Sequence, residues 1–268
     1  MGPVHPVRGG NTVERFQDRR IIVTGGGSGI GQATVLRLLS EAGTVHAADV
    51  NADGLEKTRA MAAEKGVDAR LSTGVLDVSD EDAVGAGVAE VVERLGGLDV
   101  LVNAAGILRA GHTHTFPLEK WNQIITVNLT GTFLMTRAAL PPLLETGNGV
   151  IINFSSTSAS FAHPYMAAYA ASKGAIDAFT HAIALEYSRQ GLRAVNVAPG
   201  SISSGIVDDT PNQVPDDADW ELFGKLMPII GDGMAHPDVI AGMIAALASD
   251  DGKFVTGTSL RIDGGTHA

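Results

Sequence analysis

Cysteine is absent from the 268-residue sequence, and long apolar runs are absent as well. Without cysteine the chain has no disulfide, no thiolate metal site and no cysteine nucleophile, which fits a reducing compartment. No stretch reaches the roughly 18 apolar residues that a transmembrane helix needs. The opening stretch, MGPVHPVRGGNTVERF, has no apolar run that would make a signal peptide or a membrane anchor. We therefore expect a cytoplasmic protein with no membrane partner.

Basic residues are also few, because 19 Lys and Arg stand against 30 Asp and Glu, a formal net charge of -11. Binding to phosphates of nucleic acids requires a basic surface, so nucleic acid is not expected as the main partner. An acidic surface otherwise serves solubility. With 44% hydrophobic and 18% charged residues, the composition is that of a globular protein with a large core.

What the sequence does contain is a series of short apolar runs rich in Val and Ile, each flanked by Gly, Asp or Asn. The runs begin at Ile21, Thr44, Leu98, Gly149, Leu192 and Thr258. Such runs predict buried parallel strands. Helical stretches lie between them, at 29–42, 81–95, 118–144 and 167–190. This alternation predicts an α/β fold, a single-domain Rossmann-type doubly wound parallel sheet with helices on both faces.

The length of the chain fits either one domain or two. We predict a flexible N-terminal tail over residues 1–18 and a single Rossmann-fold domain over residues 19–268. The segment 203–236 interrupts the alternation and is rich in Pro, Asp and Gly. A long irregular insertion in a compact domain is commonly a functional lid, and a surface loop without order is the alternative. An apolar face on a short lid helix could be formed by Trp220, Phe223, Leu226 and Met227.

A glycine-rich stretch, TGGGSGIG, lies between the first apolar run and the first helix. Gly25 permits a tight turn, Gly29 lets backbone approach a ligand, and Gly31 lets the helix lie against the strand. Amides at the N-terminus of that helix would meet an anionic pyrophosphate. A glycine turn can also merely join a strand to a helix, but the flanking elements favour dinucleotide binding.

Two acidic residues indicate where the adenosine of a dinucleotide would lie. Asp49 ends the second run about 20 residues past the glycine turn, where a carboxylate binds ribose hydroxyls and repels a 2′-phosphate. No arginine or lysine occurs between Gly25 and Gly31 to offset that repulsion, so NAD is predicted over NADP. Asp77 could meet the adenine, with the Val78 backbone beside it. The alternatives are that Asp49 caps the next helix and that Asp77 is a turn residue.

A phenol and an ammonium stand four residues apart in the stretch YAASK, at Tyr169 and Lys173. This spacing places them on one helix face, with Cβ atoms about 5–6 Å apart. A nearby ammonium favours the phenolate and lowers a pKa that is ordinarily near 10, and a cationic nicotinamide ring would lower it further. Tyr169 could then act as a general acid and base near neutral pH. A solvated helix face is the alternative.

Two further polar residues supply context for that pair. Ser156 ends a strand and could donate a hydrogen bond to a substrate oxygen beside Tyr169. Asn128 lies in the middle of a predicted helix, where a polar side chain needs a reason. It could be a satisfied polar group, or it could hold a water chain that leads to Lys173.

From about residue 19 to residue 265 the sequence resembles the short-chain dehydrogenase/reductase family. The matching motifs are TGGGSGIG at Thr24, NAAG at Asn103, VN at Val127, SS at Ser155, YAASK at Tyr169, PG at Pro199 and TGTSLRIDGG at Thr256. Their order and spacing match the family together, which makes the combination specific.

The resemblance implies hydride transfer between nicotinamide and a carbinol or carbonyl carbon, with a tetrad of Asn128, Ser156, Tyr169 and Lys173. Tyr169 would exchange a proton with the substrate oxygen that Ser156 positions. Lys173 would hold the nicotinamide ribose, and Asn128 would support the proton relay. The implied cofactor contacts are Gly25, Ser28, Gly29, Ile30, Gly31, Asp49, Asp77, Val78, Asn103, Ala104, Gly106, Tyr169, Lys173, Pro199, Gly200, Ile202 and Ser204. Ser204 stands where the family usually has threonine, which keeps the hydroxyl.

The expected substrate is a small-molecule alcohol or ketone in a mainly apolar cleft whose wall includes Ile107 and Leu108. The predicted substrate contacts are Ser156, Ser158, His163 and Tyr169. A loop histidine exposed to water is the alternative for His163. His112 and His114 have no carboxylate cluster at ligand spacing, so no metal site is predicted.

Three functions are compatible with the sequence, and the first is preferred. It is an NAD(H)-dependent oxidoreductase for secondary alcohols and ketones. The second is an NADPH-dependent 3-oxoacyl reductase, against which Asp49 weighs. The third is a non-catalytic nucleotide-sensing protein, which would ordinarily lack Tyr169 or Lys173. The family resemblance also implies a homotetramer built on the two long helices.

Overall fold

The computed structural model describes residues 13–203, 214–231 and 233–268. Most of the predicted tail lies outside these ranges, but its last residues belong to the domain. Phe16 is fully buried, and its backbone N–H donates to the Glu41 carbonyl at 2.9 Å. Arg15 forms an ion pair with Glu41 at 2.6 Å. The predicted tail boundary at residue 18 therefore lies too far along the chain, because Phe16 is part of the core.

Within the described residues, seven strands form one parallel sheet in the order β3-β2-β1-β4-β5-β6-β7. The strands are β1 Arg20–Thr24, β2 Thr44–Asp49, β3 Leu71–Val75, β4 Val100–Asn103, β5 Val150–Phe154, β6 Arg193–Pro199 and β7 Thr258–Ile262. The prediction of a doubly wound parallel sheet is confirmed. The chain proceeds outward in opposite directions from the β1–β4 pair, and crevices for ligands form at such a switch point.

Helices cover both faces of the sheet. They are α1 Gly29–Ser40, α2 Ala52–Glu64, α3 Glu81–Leu95, α4 Leu118–Ile124, α5 Gly131–Glu145, α6 Ala167–Glu186, α7 Trp220–Gly224 and α8 Pro237–Ala248. The predicted helix over 118–144 contains a π-helical turn, Ile125–Thr130, between α4 and α5. No helix in the described ranges combines the length and apolarity needed to cross a membrane.

Alternate strand residues enter two separate cores. Ile21 and Val23 pack into a cluster with residues of α1 and α8, whereas Ile22 packs into a cluster with α3, α5 and α6. Each such side chain is at most 1% exposed and contributes about 1.5–3 kcal/mol through burial. The sheet is thus fixed from both faces, which gives the loops at its carboxyl edge a rigid base.

A buried histidine lies in the sheet outside the predicted site. The Nδ1 atom of His46, on β2, lies 2.9 Å from Ser72 Oγ and 3.0 Å from an Nη2 atom of Arg94. A guanidinium can only donate, so this Nδ1 has to accept and the ring is neutral. Burial, and to a smaller extent the charge of Arg94, lowers the pKa of His46 to about 4.

This histidine is expected to make the protein less stable in acid. His46 binds a proton near pH 6.5 when unfolded but only near pH 4 when folded. Above pH 6.5 the ring is neutral in both states and the free energy of unfolding is unaffected by its titration. As the pH falls from 6.5 toward 4, the unfolded chain binds the proton first, and the free energy of unfolding decreases by about 3 kcal/mol. Urea unfolding at several pH values should show a shallower acid loss for His46→Gln. His181→Gln, at an exposed position on α6, is the control. Equal pH slopes for all three proteins would contradict the assignment.

Candidate active site

A cleft of about 810 Å³ opens at the carboxyl ends of the strands. It brings together most of the residues predicted from the sequence. Those that line it are Gly25, Ser28, Gly29, Ile30, Gly31, Asp49, Asp77, Val78, Ala104, Gly106, Ser156, His163, Tyr169, Lys173, Pro199, Gly200 and Ile202. Ser204 lies outside the described residues. The cleft therefore joins a cofactor-like end at β1–β3 to a chemical end at β5 and α6.

The glycine turn forms the floor of the cofactor end. Gly25 has φ +68°, and a Cβ atom there would lie 2.8 Å from the Ala104 carbonyl oxygen. A Cβ atom on Gly31 would overlap the Gly25 carbonyl oxygen, so α1 can approach β1 only without a side chain there. Ser28, the N-cap of α1, makes no side-chain capping bond. The first amides of α1 thus keep their capacity to bind an anion.

Asp49 supports the glycine turn directly. Its Oδ2 accepts from the Gly27 N–H at 2.9 Å, and its Oδ1 accepts from the Asn51 N–H at 2.9 Å. The N-cap of α2 is Asn51, whose side chain accepts from the Gly54 N–H. The alternative that Asp49 caps the helix is therefore not what the structure shows. Asp49 lines the cleft at the end of β2, so its predicted contact with a ribose stays possible in this geometry.

Two other predicted cofactor residues have structural roles that the sequence left open or missed. Asp77 lines the cleft, and its Oδ1 also accepts from Ser79 N–H and Oγ, so it is a turn residue as well. Asn103 does not line the cleft, which corrects the prediction for its side chain. Its Nδ2 donates to Asn153 Oδ1 at 2.9 Å and to Thr136 Oγ1 at 3.2 Å. Asn103 therefore ties β4 to β5 and α5.

The phenol and the ammonium lie together, as predicted. Lys173 Nζ is 5.6 Å from the centroid of the Tyr169 ring and donates to the Phe154 carbonyl at 2.7 Å. Gly106 makes room beside it, because a Cβ atom there would lie 3.3 Å from Asn128 Oδ1 and 3.7 Å from Lys173 Nζ. The ammonium is thus held between β5 and the loop after β4.

Asn128 lies in the π-helical turn, and such turns often occur at functional sites. Its Oδ1 accepts from Ile107 N–H at 2.8 Å, and its Nδ2 donates to the Ile107 carbonyl at 2.9 Å and to Ser172 Oγ at 3.1 Å. It is fully buried and does not line the cleft. The structure therefore shows Asn128 as a polar side chain whose hydrogen bonds are satisfied within the protein. Its role in a proton relay stays a prediction.

Ser156 begins the 3-10 turn Thr157–Ala159 that follows β5. Its Oγ accepts from the Ser158 N–H at 3.1 Å, so its own hydroxyl proton can be donated to the Tyr169 oxygen or to a ligand. The predicted substrate contact at Ser158 is not supported. The Ser158 hydroxyl is buried and the residue does not line the cleft, because its side chain turns into the protein.

The pKa of the phenol differs from the sequence-based expectation. Burial raises the pKa of Tyr169 to about 12, against a smaller lowering by its hydrogen bond with Ser156. Burial also lowers the pKa of Lys173 to about 8. The expected lowering by Lys173 is therefore not seen in the chain by itself, where burial of the phenol is the largest influence on its pKa. The further lowering expected from a cationic nicotinamide ring stays a prediction. At neutral pH the phenol is protonated and ready to donate.

The described part of the segment predicted as a lid contributes to the lining of the substrate end. Trp220 and Phe223 on α7 line the cleft, as do Leu226 and Met227 just after it. The lid is anchored by His112, whose Nε2 lies 2.8 Å from Asp217 Oδ1. The described residues contain no group of three His, Asp or Glu side chains that could hold a metal ion.

His163 also lines the substrate end. It is half-buried, and its Nε2 lies 3.1 Å from Thr157 Oγ1, so the alternative of a loop histidine exposed to water is not supported. Burial lowers its pKa to about 4, which makes it a neutral wall residue. Sequence reasoning missed Met166, Val214 and Met234, which line the same end. No motif marks these methionines and this valine.

These residues fit a nicotinamide dinucleotide on structural grounds. The glycine turn lets backbone approach a ligand closely, and the first amides of α1 are available to its phosphates. Asp49 lies at one end of the cleft and Lys173 at the other. When bound, such a cofactor supplies or accepts the hydride. The groups that the chain offers beside it are the Ser156 hydroxyl, which can donate a hydrogen bond, and the Tyr169 hydroxyl, which carries a proton.

Comparison with known proteins agrees with this geometry. A family model described as enoyl-(acyl carrier protein) reductase matches residues 25–267. Levodione reductase of Leifsonia aquatica is 36% identical over 258 residues, which cover 95% of this chain and 96% of the relative. The 3-oxoacyl-(acyl carrier protein) reductase FabG of Thermotoga maritima is 34% identical over 255 residues, which cover 94% and 98%. A crystal structure of levodione reductase superposes with a TM-score of 0.87 at 34% identity, covering 93% of this chain and 98% of that one.

The chain therefore belongs to the short-chain dehydrogenase/reductase family. It is an oxidoreductase that acts on CH–OH groups of small molecules, and the family uses nicotinamide dinucleotide cofactors.

Proposed function

We propose that this oxidoreductase uses NAD(H) to interconvert a neutral, mainly apolar secondary alcohol and its ketone, with Tyr169 as the general acid and base. The observation that carries the proposal is one cleft in which Tyr169, Ser156 and Lys173 lie under an apolar lid. In ketone reduction the protonated phenol donates to the substrate oxygen. In alcohol oxidation the same oxygen has to accept a proton, for which the phenolate is needed.

The preference for NAD over NADP is supported by Asp49. Its carboxylate lies on the cleft at the end of β2, where it would bind ribose hydroxyls and repel a 2′-phosphate. Among the described residues that line the cleft, Lys173 is the cationic one, and it lies at the other end. A 2′-phosphate would therefore meet an acid with no base beside it.

The lining of the substrate end supports a neutral substrate. Leu108, Met166, Trp220, Phe223 and Met227 form most of this surface. His163 is neutral at physiological pH, and the nearby Lys173 ammonium is buried and donates to the Phe154 carbonyl, so the apolar wall of this end offers no cation to a carboxylate or a phosphate. Burial of an unpaired anion is costly, and the apolar lid makes it more so.

A matched pair of ketones tests the substrate class. We expect kcat/KM for methyl 4-oxocyclohexanecarboxylate to exceed that for the free carboxylate by about 100-fold or more, because the acid would enter unpaired. Activity is read from NADH absorbance, and a panel of secondary alcohols with NAD⁺ measures the reverse reaction. Equal turnover of the ester and the acid would contradict a neutral cleft. Absence of turnover with every neutral ketone and alcohol would contradict the proposed function.

A second candidate, an NADPH-dependent 3-oxoacyl reductase, is favoured by the likeness to FabG. Its reaction would use the same tetrad on a longer acyl chain. Asp49 weighs against it, and comparison of NADH with NADPH in the assay above decides between the two.

Two further expectations remain proposals. A homotetramer is supported by apolar side chains that α5 and α6 expose, such as Phe133 and Leu185. Light scattering after gel filtration would measure the mass in solution. A cytoplasmic location is the remaining expectation, with which the lack of cysteine is consistent.

A further inference from the structure

The segment 263–268, which follows β7, is folded into a compact turn by Asp263. The Asp263 Oδ1 atom accepts from the Gly265 N–H at 3.1 Å, and Oδ2 accepts from the His267 N–H at 3.3 Å. Asp263 itself is 8% exposed. The turn is therefore fixed to the end of the sheet, next to the mouth of the cleft.

This turn contacts the lid on one side. The backbone N–H groups of Ile229 and Ile230 both donate to the Gly264 carbonyl oxygen, at 3.0 and 3.1 Å. Met227, which lines the cleft, lies two residues before Ile229 in the same segment. The end of the lid is thus tied to the 263–268 turn by two hydrogen bonds.

On its other side the turn contacts the loop after β5. The rings of His267 and Phe161 stack in parallel, with centroids 4.1 Å apart and an interplanar angle of 1°. The guanidinium of Arg261 lies 5.1 Å from the Phe161 ring, and its Nη1 donates to the His267 carbonyl at 3.0 Å. The His267 ring also lies 5.8 Å from the ring of His163.

Phe161 and His163 belong to the same loop, which follows β5 and the turn Thr157–Ala159. His163 faces the cleft, whereas Phe161 and His267 do not line it. A stacked aromatic pair limits the positions that this loop can take, and His163 moves with it. The same turn therefore fixes both walls of the substrate end.

We infer that the segment 263–268 is a positioning element that sets the width of the substrate end, with His267 acting through Phe161 on His163. This inference rests on the proposed function, because the width matters for a ketone bound at that site. β7 lies at the edge of the sheet away from β1 and β2, so the stacked pair is remote from Asp49 and the glycine turn, and neither His267 nor Phe161 lines the cleft. Loss of the stack should therefore raise KM for a bulky ketone and leave NADH affinity and kcat nearly as they are.

Substitutions at the stacked pair test this role. We expect His267→Ala to raise KM for a bulky cyclic ketone by about 3- to 10-fold, the range that one aromatic stack would supply. His267→Phe keeps the stack and should stay within about twofold of the unmodified protein. Phe161→Ala should match His267→Ala, and the double variant should be no worse than either, because both remove the same contact.

Hydrogen exchange gives a readout that needs no turnover. Peptides over 157–165 and 226–231 should exchange faster in His267→Ala than in His267→Phe, and peptides over 25–40 should not change. If His267→Ala does not fold, the comparison of His267→Leu with His267→Phe replaces it. Unchanged KM and unchanged exchange in the alanine variant, or additive effects in the double variant, would overturn the inference. Faster exchange in a protein that turns over no ketone would overturn the proposed function and leave the positioning of the two walls in place.

Discussion

Replacement of Tyr169 with phenylalanine is expected to lower kcat by about 10²- to 10⁴-fold in both directions, since it removes the proton donor and acceptor. The change is conservative for the rest of the site. It keeps the ring that lies 5.6 Å from Lys173 Nζ and deletes only the hydroxyl. NADH binding, measured by its fluorescence, should therefore stay close to that of the unmodified protein. Tyr187→Phe, at the other end of α6, removes a phenol outside the cleft and is the matched control.

The pH dependence gives this prediction a second measurement. Burial raises the pKa of Tyr169 to about 12, so the phenol starts protonated. Ketone reduction should then change little between about pH 6 and 8, whereas alcohol oxidation should rise with pH because it needs the phenolate. Retained turnover in Tyr169→Phe would remove this residue from proton transfer. Oxidation that is fastest in acid would show that another group accepts the proton.

Six of the seven strands were predictable because buried parallel strands leave a simple signal. The apolar runs at Ile21, Thr44, Leu98, Gly149, Leu192 and Thr258 each became a strand within two residues of the expected start. β3, with the sequence LSTGV, is less apolar and only partly buried, so it left a weaker signal. The bounds of α2 and α8 were not predicted, and these helices begin at caps, Asn51 and His236, that no family motif marks.

The site was predictable where backbone geometry or chemistry leaves few choices. Gly25 and Gly31 are required by close contacts, and Tyr169 and Lys173 share one helix face. The direction in which a side chain turns was not predictable in the same way. Asn103 belongs to a motif beside the cleft and Ser158 lies two residues after one, yet both side chains turn into the protein. The pKa of Tyr169 was missed for a related reason, since the desolvation of a group depends on packing that the motif does not encode.

Asp49 is expected to determine the choice of cofactor, and its substitution should have the second largest effect. Like charges brought into contact cost several kcal/mol, so the unmodified enzyme should prefer NADH over NADPH by about 100-fold or more in kcat/KM. Asp49 Oδ2 also accepts from Gly27 N–H at 2.9 Å, so substitutions have to distinguish the effect of the negative charge from the effect of this hydrogen bond on the glycine turn. Asp49→Asn removes the charge and keeps an acceptor oxygen, whereas Asp49→Ala removes both.

The asparagine variant should therefore lose most of its discrimination and retain its rate with NADH, while the alanine variant should also lose affinity for both cofactors. Val50, which is exposed and lines the same end of the cleft, offers a place for a cation. Asp49→Asn combined with Val50→Arg should favour NADPH, because a guanidinium there can pair with the 2′-phosphate. Faster reduction with NADPH by the unmodified enzyme would contradict the assignment of NAD. Full preference for NADH in Asp49→Asn would show that discrimination comes from the shape of the glycine turn rather than from the carboxylate charge.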